Sequence, residues 1–417
     1  SMIRYFKIKF MEAIEFNNTK DWKLLFKNER ADGLLLYILY DSNEERLSVI
    51  EHIRSFQNQQ QIVLNIPSEN WSDDRLIKQF YAISQLKLSE EAKLDPHYYE
   101  ELSIFEEDTR KRLIKDIEHF YSPSSRLSKF YNCEGELEDI RKQVKLNKEI
   151  SQICLRKFNL SPKINNELIN KNEINTPIRK ARNLIVKHVL DSSDKKEIPL
   201  LPGLGPEVSI YNSIFVATGL NKSNLINDDG LNGVLGEITN FINAAVGQKL
   251  EFSNLYDTLM APPYGVRKGI LPILIAYSLH TYRKDVVIYF DQVEVQLSES
   301  VLDQINEKNG KGYQLFLELA TQAKDRCITE ILEIFKDHSN AQSKSINKIY
   351  NAVRCMQNWM RSLPEYAKKC SKIAQEGYFI ELSDREFEFR KELLKFEINS
   401  REFIFGFLFN DSNDDSY

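Results

Sequence analysis

Two apolar runs near the start of the chain restrict its fold more than any other feature. Gly33-Leu34-Leu35-Leu36-Tyr37-Ile38-Leu39-Tyr40 and Gln61-Ile62-Val63-Leu64-Asn65-Ile66 both lack the polar alternation of a half-exposed strand. Short uninterrupted runs of this kind suit strands covered on both faces. Between them, Asn43 to Phe56 reads as an amphipathic helix, so strand, helix and strand imply a βαβ crossover. Residues 3–10 partly alternate and read as an edge strand. The opening is therefore predicted to be α/β.

From Asp74 to about His188 the pattern changes to charged helices with few glycines. Arg110 to Phe120, Gly135 to Cys154 and Thr176 to Leu190 repeat apolar residues at three- and four-residue spacing. Thr176-Pro177 offers an N-cap followed by proline at the first helical position. Ser192 to Pro206, with Pro199, Pro202, Gly203, Gly205 and Pro206, reads as a linker. Helices are then predicted over Glu207–Thr218, Gly233–Val246, Phe252–Met260 and Leu271–Tyr282. Val286 to Leu297 reads as two short strands joined by Asp291-Gln292. Three helices followed by a hairpin is the order of a winged helix. Ser300 to Asn410 reads as mostly helical, with a strand at Tyr313 to Leu319. The predicted class is α+β, predominantly helical: an α/β N-terminal segment, a helical middle, a winged-helix-like unit and a helical C-terminal region. Boundaries are predicted as 1–85, 86–198, 199–340 and 341–410, with 411–417 a disordered tail.

Composition narrows the class of function. A net charge of −5 over 417 residues argues against wholesale coating of nucleic acid, which needs a basic excess, and leaves room only for a local patch. Cys133, Cys154, Cys327, Cys355 and Cys370 are widely spaced and contain no CxxC pair, as in a reducing cytoplasm. The longest apolar candidate, Gly269 to Tyr282, holds Pro272, Ser278 and His280 and is too short to cross a membrane. Ser1-Met2 reads as the remnant of a cleaved tag, so the chain is expected to be cut from something longer.

Catalytic patterns are sparse. A P-loop needs glycine-rich amides followed by Lys and Ser/Thr. Gly203-Leu204-Gly205-Pro206 puts proline where a donor is needed, and Asn309-Gly310-Lys311-Gly312 lacks the hydroxyl. His52, His97, His119, His188, His280 and His338 are too scattered for a metal motif, and His280 on its apolar stretch reads as a satisfied core residue. The chain is expected not to be an enzyme and to carry no cofactor. Asp291 with Glu294-Val295-Gln296 leaves one alternative, a cryptic metal-dependent nuclease holding Mg²⁺ through strand carboxylates, against the plainer reading of a solvated hairpin.

Basic residues supply a second alternative, a non-specific DNA-binding arm. Arg179, Lys180, Arg182 and Lys187 share one predicted helix, while Arg267, Lys268, Arg283 and Lys284 flank Leu271–Tyr282. With Tyr264, and with Tyr256 and Tyr282, they are candidates to hold phosphates and stack bases. Sequence-specific readout is not expected, because the third helix carries Ile273, Leu274, Ile275, Tyr277 and Leu279 and little that would bond a base edge.

Four stretches stand apart from these considerations: Pro162 to Asn170, Pro206 to Tyr211, Ala261 to Gly269, and Trp359 to Tyr366. They resemble the C-terminal part of large bacterial P-loop ATPases from phage-defence gene clusters. The resemblance implies a coupling module that docks other subunits of a defence complex, with DNA as a further partner and no membrane. This chain departs from such ATPases in lacking the P-loop, so hydrolysis is not carried over. Pro262-Pro263-Tyr264-Gly265 reads as a rigid corner in which Gly265 takes a conformation closed to other residues. Asn166, Glu167 and Asn170 read as a cap and hydrogen-bond network.

Overall fold

The apolar runs form neighbouring strands, as their composition dictates. The computed structural model describes residues 4–22, 25–26, 31–56, 59, 61–69, 71, 74–193, 197–222, 228–318, 322–339, 347–375 and 378–409. The fold is α+β and predominantly helical, 57% helix and 13% strand. It divides into two compact units, Ile3–Asn159 and Leu160–Tyr417.

In the first unit the order is β1 (Phe6–Glu12), α1 (Ala13–Asn18), β2 (Gly33–Leu39), α2 (Asn43–Arg54) and β3 (Ile62–Pro67). Then come α3 (Arg75–Lys87), α4 (Glu90–Leu94), α5 (Pro96–Tyr121), β4 (Ser128–Asn132), β5 (Gly135–Glu136) and α6 (Gln143–Lys157). The sheet runs β1-β2-β3-β4-β5. β1, β2 and β3 are parallel, with Phe6 opposite Gly33 and Leu34 opposite Ile62. β4 returns antiparallel, Tyr131 facing Leu64. Alternate residues of β2 serve two cores, which is why the run has no polar face. Leu34, Leu36 and Ile38 pack with Phe16, Val49 and Ile53. Leu35 joins Val63 and Phe130 against Leu146 and Ile153 of α6.

Gly135 to Cys154 is not one helix. The hairpin β4–β5 occupies its start, closed by the side chain of Asn132 accepting from Glu134 N at 2.8 Å, and the helix begins at Gln143. That local turn outbids helix formation at the glycine.

Helices α3 to α5 are inserted between β3 and β4 as an arm. Trp71 stacks near Phe120, and Lys87 lies over the Tyr99 ring, so α3 and α5 run antiparallel. Asp95 caps α5, accepting from His97 N and Tyr98 N at 3.0 and 3.2 Å, with Pro96 at its first position.

The second unit begins with α7 (Thr176–Asp191), α8 (Pro206–Tyr211, continued by a π turn at Asn212–Val216), α9 (Asp229–Ala244) and β6 (Leu250–Glu251). It continues with α10 (Phe252–Met260), α11 (Leu271–His280), β7 (Val286–Phe290), β8 (Val293–Val295), α12 (Glu299–Glu307) and β9 (Tyr313–Leu317). The antiparallel sheet is ordered β6-β9-β7-β8. The three helices α9, α10 and α11 followed by the β7–β8 hairpin stand in the expected order. Asp291 and Gln292 turn the hairpin at φ 48° and 70°, the left-handed pair that two-residue hairpins favour. α11 is buried nearly all round, with only Tyr277 partly exposed.

The chain ends with α13 (Gln322–Ile334), α14 (Lys348–Ser362), α15 (Glu365–Lys369), the hairpin β10 (Lys372–Gln375) and β11 (Tyr378–Glu381), α16 (Asp384–Leu394), and a π-type helix at Glu402–Leu408. Ile331, Val353, Met356, Leu393 and Phe403 make its own small core. The β10–β11 hairpin replaces part of the helical stretch expected there.

The boundary expected near 198–199 is not where the units part. Ile198 is a core residue bonded through its N–H to Asn221 O at 3.0 Å, and Tyr211 donates its hydroxyl to Pro199 O at 2.8 Å. The Pro/Gly stretch is thus held against α8, and the division falls at Asn159/Leu160. Nor do the compact units divide at 85–86 or 340–341. The cap of α7 is Asn175, one residue ahead of the expected Thr176. The segment 411–417 lies outside the described residues.

Candidate functional site

Helix α7 carries four of the basic residues singled out in the sequence, and its burial separates them. Ile178, Ala181, Ile185, Val186 and Val189 form its buried stripe, and Arg182 lies on that same stripe. The Arg182 side chain keeps 1% of its surface and pairs with Asp303 of α12. Arg179 reaches the same carboxylate, Nε and Nη2 donating to Oδ2 at 2.9 and 2.6 Å. In the amide orientation that satisfies its neighbours, Asn306 accepts from Arg182 Nη1 at 2.9 Å and donates to Lys268 O at 3.0 Å. Burial pushes the Arg182 pKa down from its ordinary value while Asp303 opposes the shift. A buried, fully engaged guanidinium cannot reach a phosphate. Lys180 and Lys187 remain exposed.

The corner at Pro262-Pro263-Tyr264-Gly265 joins the same region. The Pro262–Pro263 bond is cis and Gly265 sits at φ 56°. Leu160 N donates to Pro263 O at 3.2 Å, Lys268 N to Asn172 Oδ1 at 3.2 Å, and Gly269 N to Lys171 O at 2.9 Å. Asn166 Nδ2 donates to Ser209 O at 3.4 Å. Asn166 thus joins the 162–170 stretch to 206–211, and 261–269 bonds to residues 160, 171 and 172 on either side of the first stretch, while the fourth, at Trp359, belongs to the separate C-terminal core. Asn170 is buried and donates to Ile164 O at 2.7 Å. Arg267 is buried, Lys268 Nζ donates to Glu307 O at 3.1 Å, and the Tyr264 hydroxyl donates to Glu237 at 3.1 Å. Tyr256 is wholly inside.

Beyond α11, Arg283 is also buried, donating to His280 O and, at 2.9 Å, to Ser192 O, whereas Lys284 is exposed. His280 Nε2 sits 2.7 Å from Ser192 Oγ, a satisfied core histidine. Of the residues expected to hold phosphate, Arg182, Arg267 and Arg283 are thus buried, while Lys180, Lys187 and Lys284 stay at the surface.

A cavity of about 230 Å³ opens beside Arg283, bordered by Asp191, Glu294, Glu299, Asn347 and Tyr350. Glu294 is not the solvated carboxylate that the hairpin pattern suggests. It accepts from Ser400 N–H, and burial raises its pKa to about 7. Asp291 is exposed at the turn, its N–H bonded to Gly312 O at 3.2 Å. The pair expected for Mg²⁺ is therefore not presented as a joint ligand set. Among the described residues no three His, Cys, Asp or Glu lie together as a metal-holding group.

No family model, no curated protein and no solved structure matches this chain.

Among the described residues, one surface that departs from a finished globular face is the arm. Helix α3 is amphipathic, yet none of its residues is buried. Leu76, Phe80 and Ile83 are partly covered, whereas Ile77, Tyr81 and Leu88 are 47%, 65% and 67% exposed. Ile77, Tyr81 and Leu88 fall at four- and seven-residue spacing, which puts them on one helix face. α5 buries only Leu102, Thr109 and Tyr121. Apolar residues fall on more than one face of α3, so the open stripe is visible only once the α3–α5 seam has been assigned. No described helix is long and apolar enough to cross a membrane.

Proposed function

We propose that this chain is a non-catalytic docking and coupling module, the part of a phage-defence ATPase assembly that binds its other subunits. The observation that carries the reading is helix α3: thirteen residues, amphipathic, and none buried. A helix of this length is marginal on its own, and most helical stability comes from burying an apolar face. An apolar stripe held out on an arm suits a partner surface. The resemblance of the 162–170, 206–211 and 261–269 stretches to defence ATPases supports the setting, and their hydrogen bonds to one another and to adjoining residues give them a structural task rather than a catalytic one.

The β6-β9-β7-β8 sheet behind α9, α10 and α11 is read as a winged-helix-like unit used for packing, since α11 offers no polar face to a groove.

The test is functional. Tyr81→Glu with Leu88→Glu leaves the cores untouched and is expected to abolish phage protection in cells carrying the whole gene cluster. Retained protection contradicts the docking reading. Nucleotide hydrolysis by the purified chain contradicts the non-catalytic one.

A further inference from the structure

We infer that the occupant of the exposed arm is a second copy of this chain, with two arms pairing antiparallel into a four-helix bundle. The inference rests on the docking reading of α3 and names the partner. Two observations lead to it.

The first is incompleteness. α3 and α5 meet along one seam, where Ser84 Oγ donates to Glu106 at 3.0 Å and Lys87 Nζ reaches it at 2.6 Å. That seam leaves the Ile77–Tyr81–Leu88 stripe of α3 open. Two-helix hairpins bury too little to be complete, and laying the same stripe of a second hairpin against the first yields a closed bundle. Fully covering two such apolar stripes removes several large, half-exposed side chains from water.

The second is charge order along α5. Glu100, Glu101 and Asp108 precede Lys111, Arg112 and Lys115. The first half also holds Glu106 and Glu107, and the second half, which gains Arg110 but carries Asp116 and Glu118 as well, keeps a net basic excess. Such a helix repels a parallel copy and attracts one that runs the other way. A two-fold axis supplies that reversal, because an isologous interface sets each half of a surface against the opposite half of its copy. The pairs these residues make within one helix, such as Arg112 with Asp108 at 2.7 Å, are exposed and worth little, so they yield readily to contacts between chains.

Sedimentation velocity on the full chain, from about 1 to about 100 µM at low and high salt, tests this. Wild type is expected to show the mass of two chains, with dissociation favoured by salt. Tyr81→Glu with Leu88→Glu should sediment as one chain with an unchanged circular dichroism spectrum. A second pair of variants guards against misfolding. One reverses Lys111, Arg112 and Lys115 to Glu; the other reverses Glu100, Glu101 and Asp108 to Lys. Each alone should lose the dimer, and an equimolar mixture should regain it. A chain that stays monomeric throughout, a dimer that survives Tyr81→Glu with Leu88→Glu, or a mixture that fails to reassociate overturns the proposal. A monomeric wild type whose Tyr81→Glu/Leu88→Glu variant still loses phage protection would defeat the self-pairing and leave the docking reading standing. A variant that keeps protection removes the docking reading itself.

Discussion

Arg182 on α7 and Asp303 on α12 form an ion pair in which the arginine side chain keeps 1% of its surface and the aspartate side chain 11%. The pair ties the first long helix of the second unit to the helix between β8 and β9. It also takes Arg182, one of the four Arg and Lys residues of α7, out of the surface.

Removing one partner should therefore be costly. Asp303→Ala strands a buried guanidinium, and a loss of about 3–5 kcal/mol is expected. Arg182→Met combined with Asp303→Leu should recover much of it, because no fully buried charge is then left, and the part-exposed Arg179 keeps Glu307 at 3.3 Å. Urea denaturation of the three proteins measures both values. A single variant as stable as wild type contradicts the buried network.

The seam between 160–172 and 261–269 depends on close backbone approach. A Cβ at Gly269 would lie 2.2 Å from Ile169 O and 2.9 Å from Lys171 O. Gly269→Ala should cost about 2 kcal/mol or more, since backbone on both sides has to move. At Gly236 in α9 a Cβ meets nothing within 4 Å, so Gly236→Ala should instead gain about 0.5–1 kcal/mol through helix propensity. Thermal melts of the two variants should shift in opposite directions.

Glu294 gives a pH dependence with a definite sign. Burial raises its pKa from 4.5 to about 7, against the opposing N–H of Ser400 and with Glu402 adding to the rise. The folded chain then holds a proton that the unfolded chain releases between these values. Its contribution is full below about pH 4.5 and is lost as pH rises through about 7, up to about 3 kcal/mol in all. Glu294→Gln should flatten that part of the curve. Unfolding midpoints from about pH 5 to about pH 8, wild type minus variant, test this; a difference that grows with pH contradicts it.

DNA binding is expected to be weak and independent of the residues first suspected. Of the nominated basic set, Lys180, Lys187 and Lys284 are exposed. Reversing all three to Glu should leave duplex affinity at about 0.15 M salt unchanged, as fluorescence anisotropy would show. A marked loss would restore the DNA-binding arm.

Much of the fold was legible where composition and period agree. The runs of β2 and β3 serve two cores, and Asp291-Gln292 turns between Phe290 and Val293, both strand formers, so local pattern and tertiary role coincide. The buried third helix was readable for the same reason. The basic residues were harder. Arg182 stands four residues after Ile178 and three before Ile185, on the apolar stripe, and that position was the available signal. Its partner lies 121 residues away, which helix periodicity cannot supply. Glu294 misled because strand alternation gives a face but not what lies beyond it. Here Asn399 and Ser400 cover the outer side, Asn399 Oδ1 accepting from Glu294 N at 2.9 Å. The arm stripe was hidden differently: apolar period marks a face that wants burial, and only tertiary structure tells which face has been left open.

The most direct measurement is site-specific photocrosslinking in the cells that make the protein, with the photoreactive residue replacing Tyr81 on the arm or Tyr366 elsewhere. Both positions are well exposed, at 65% and 78%. The docking account expects a discrete adduct from position 81, of the mass of two chains if the arm pairs with itself, and none of that mass from position 366. An arm that yields no adduct, or the same adducts from both positions, contradicts it.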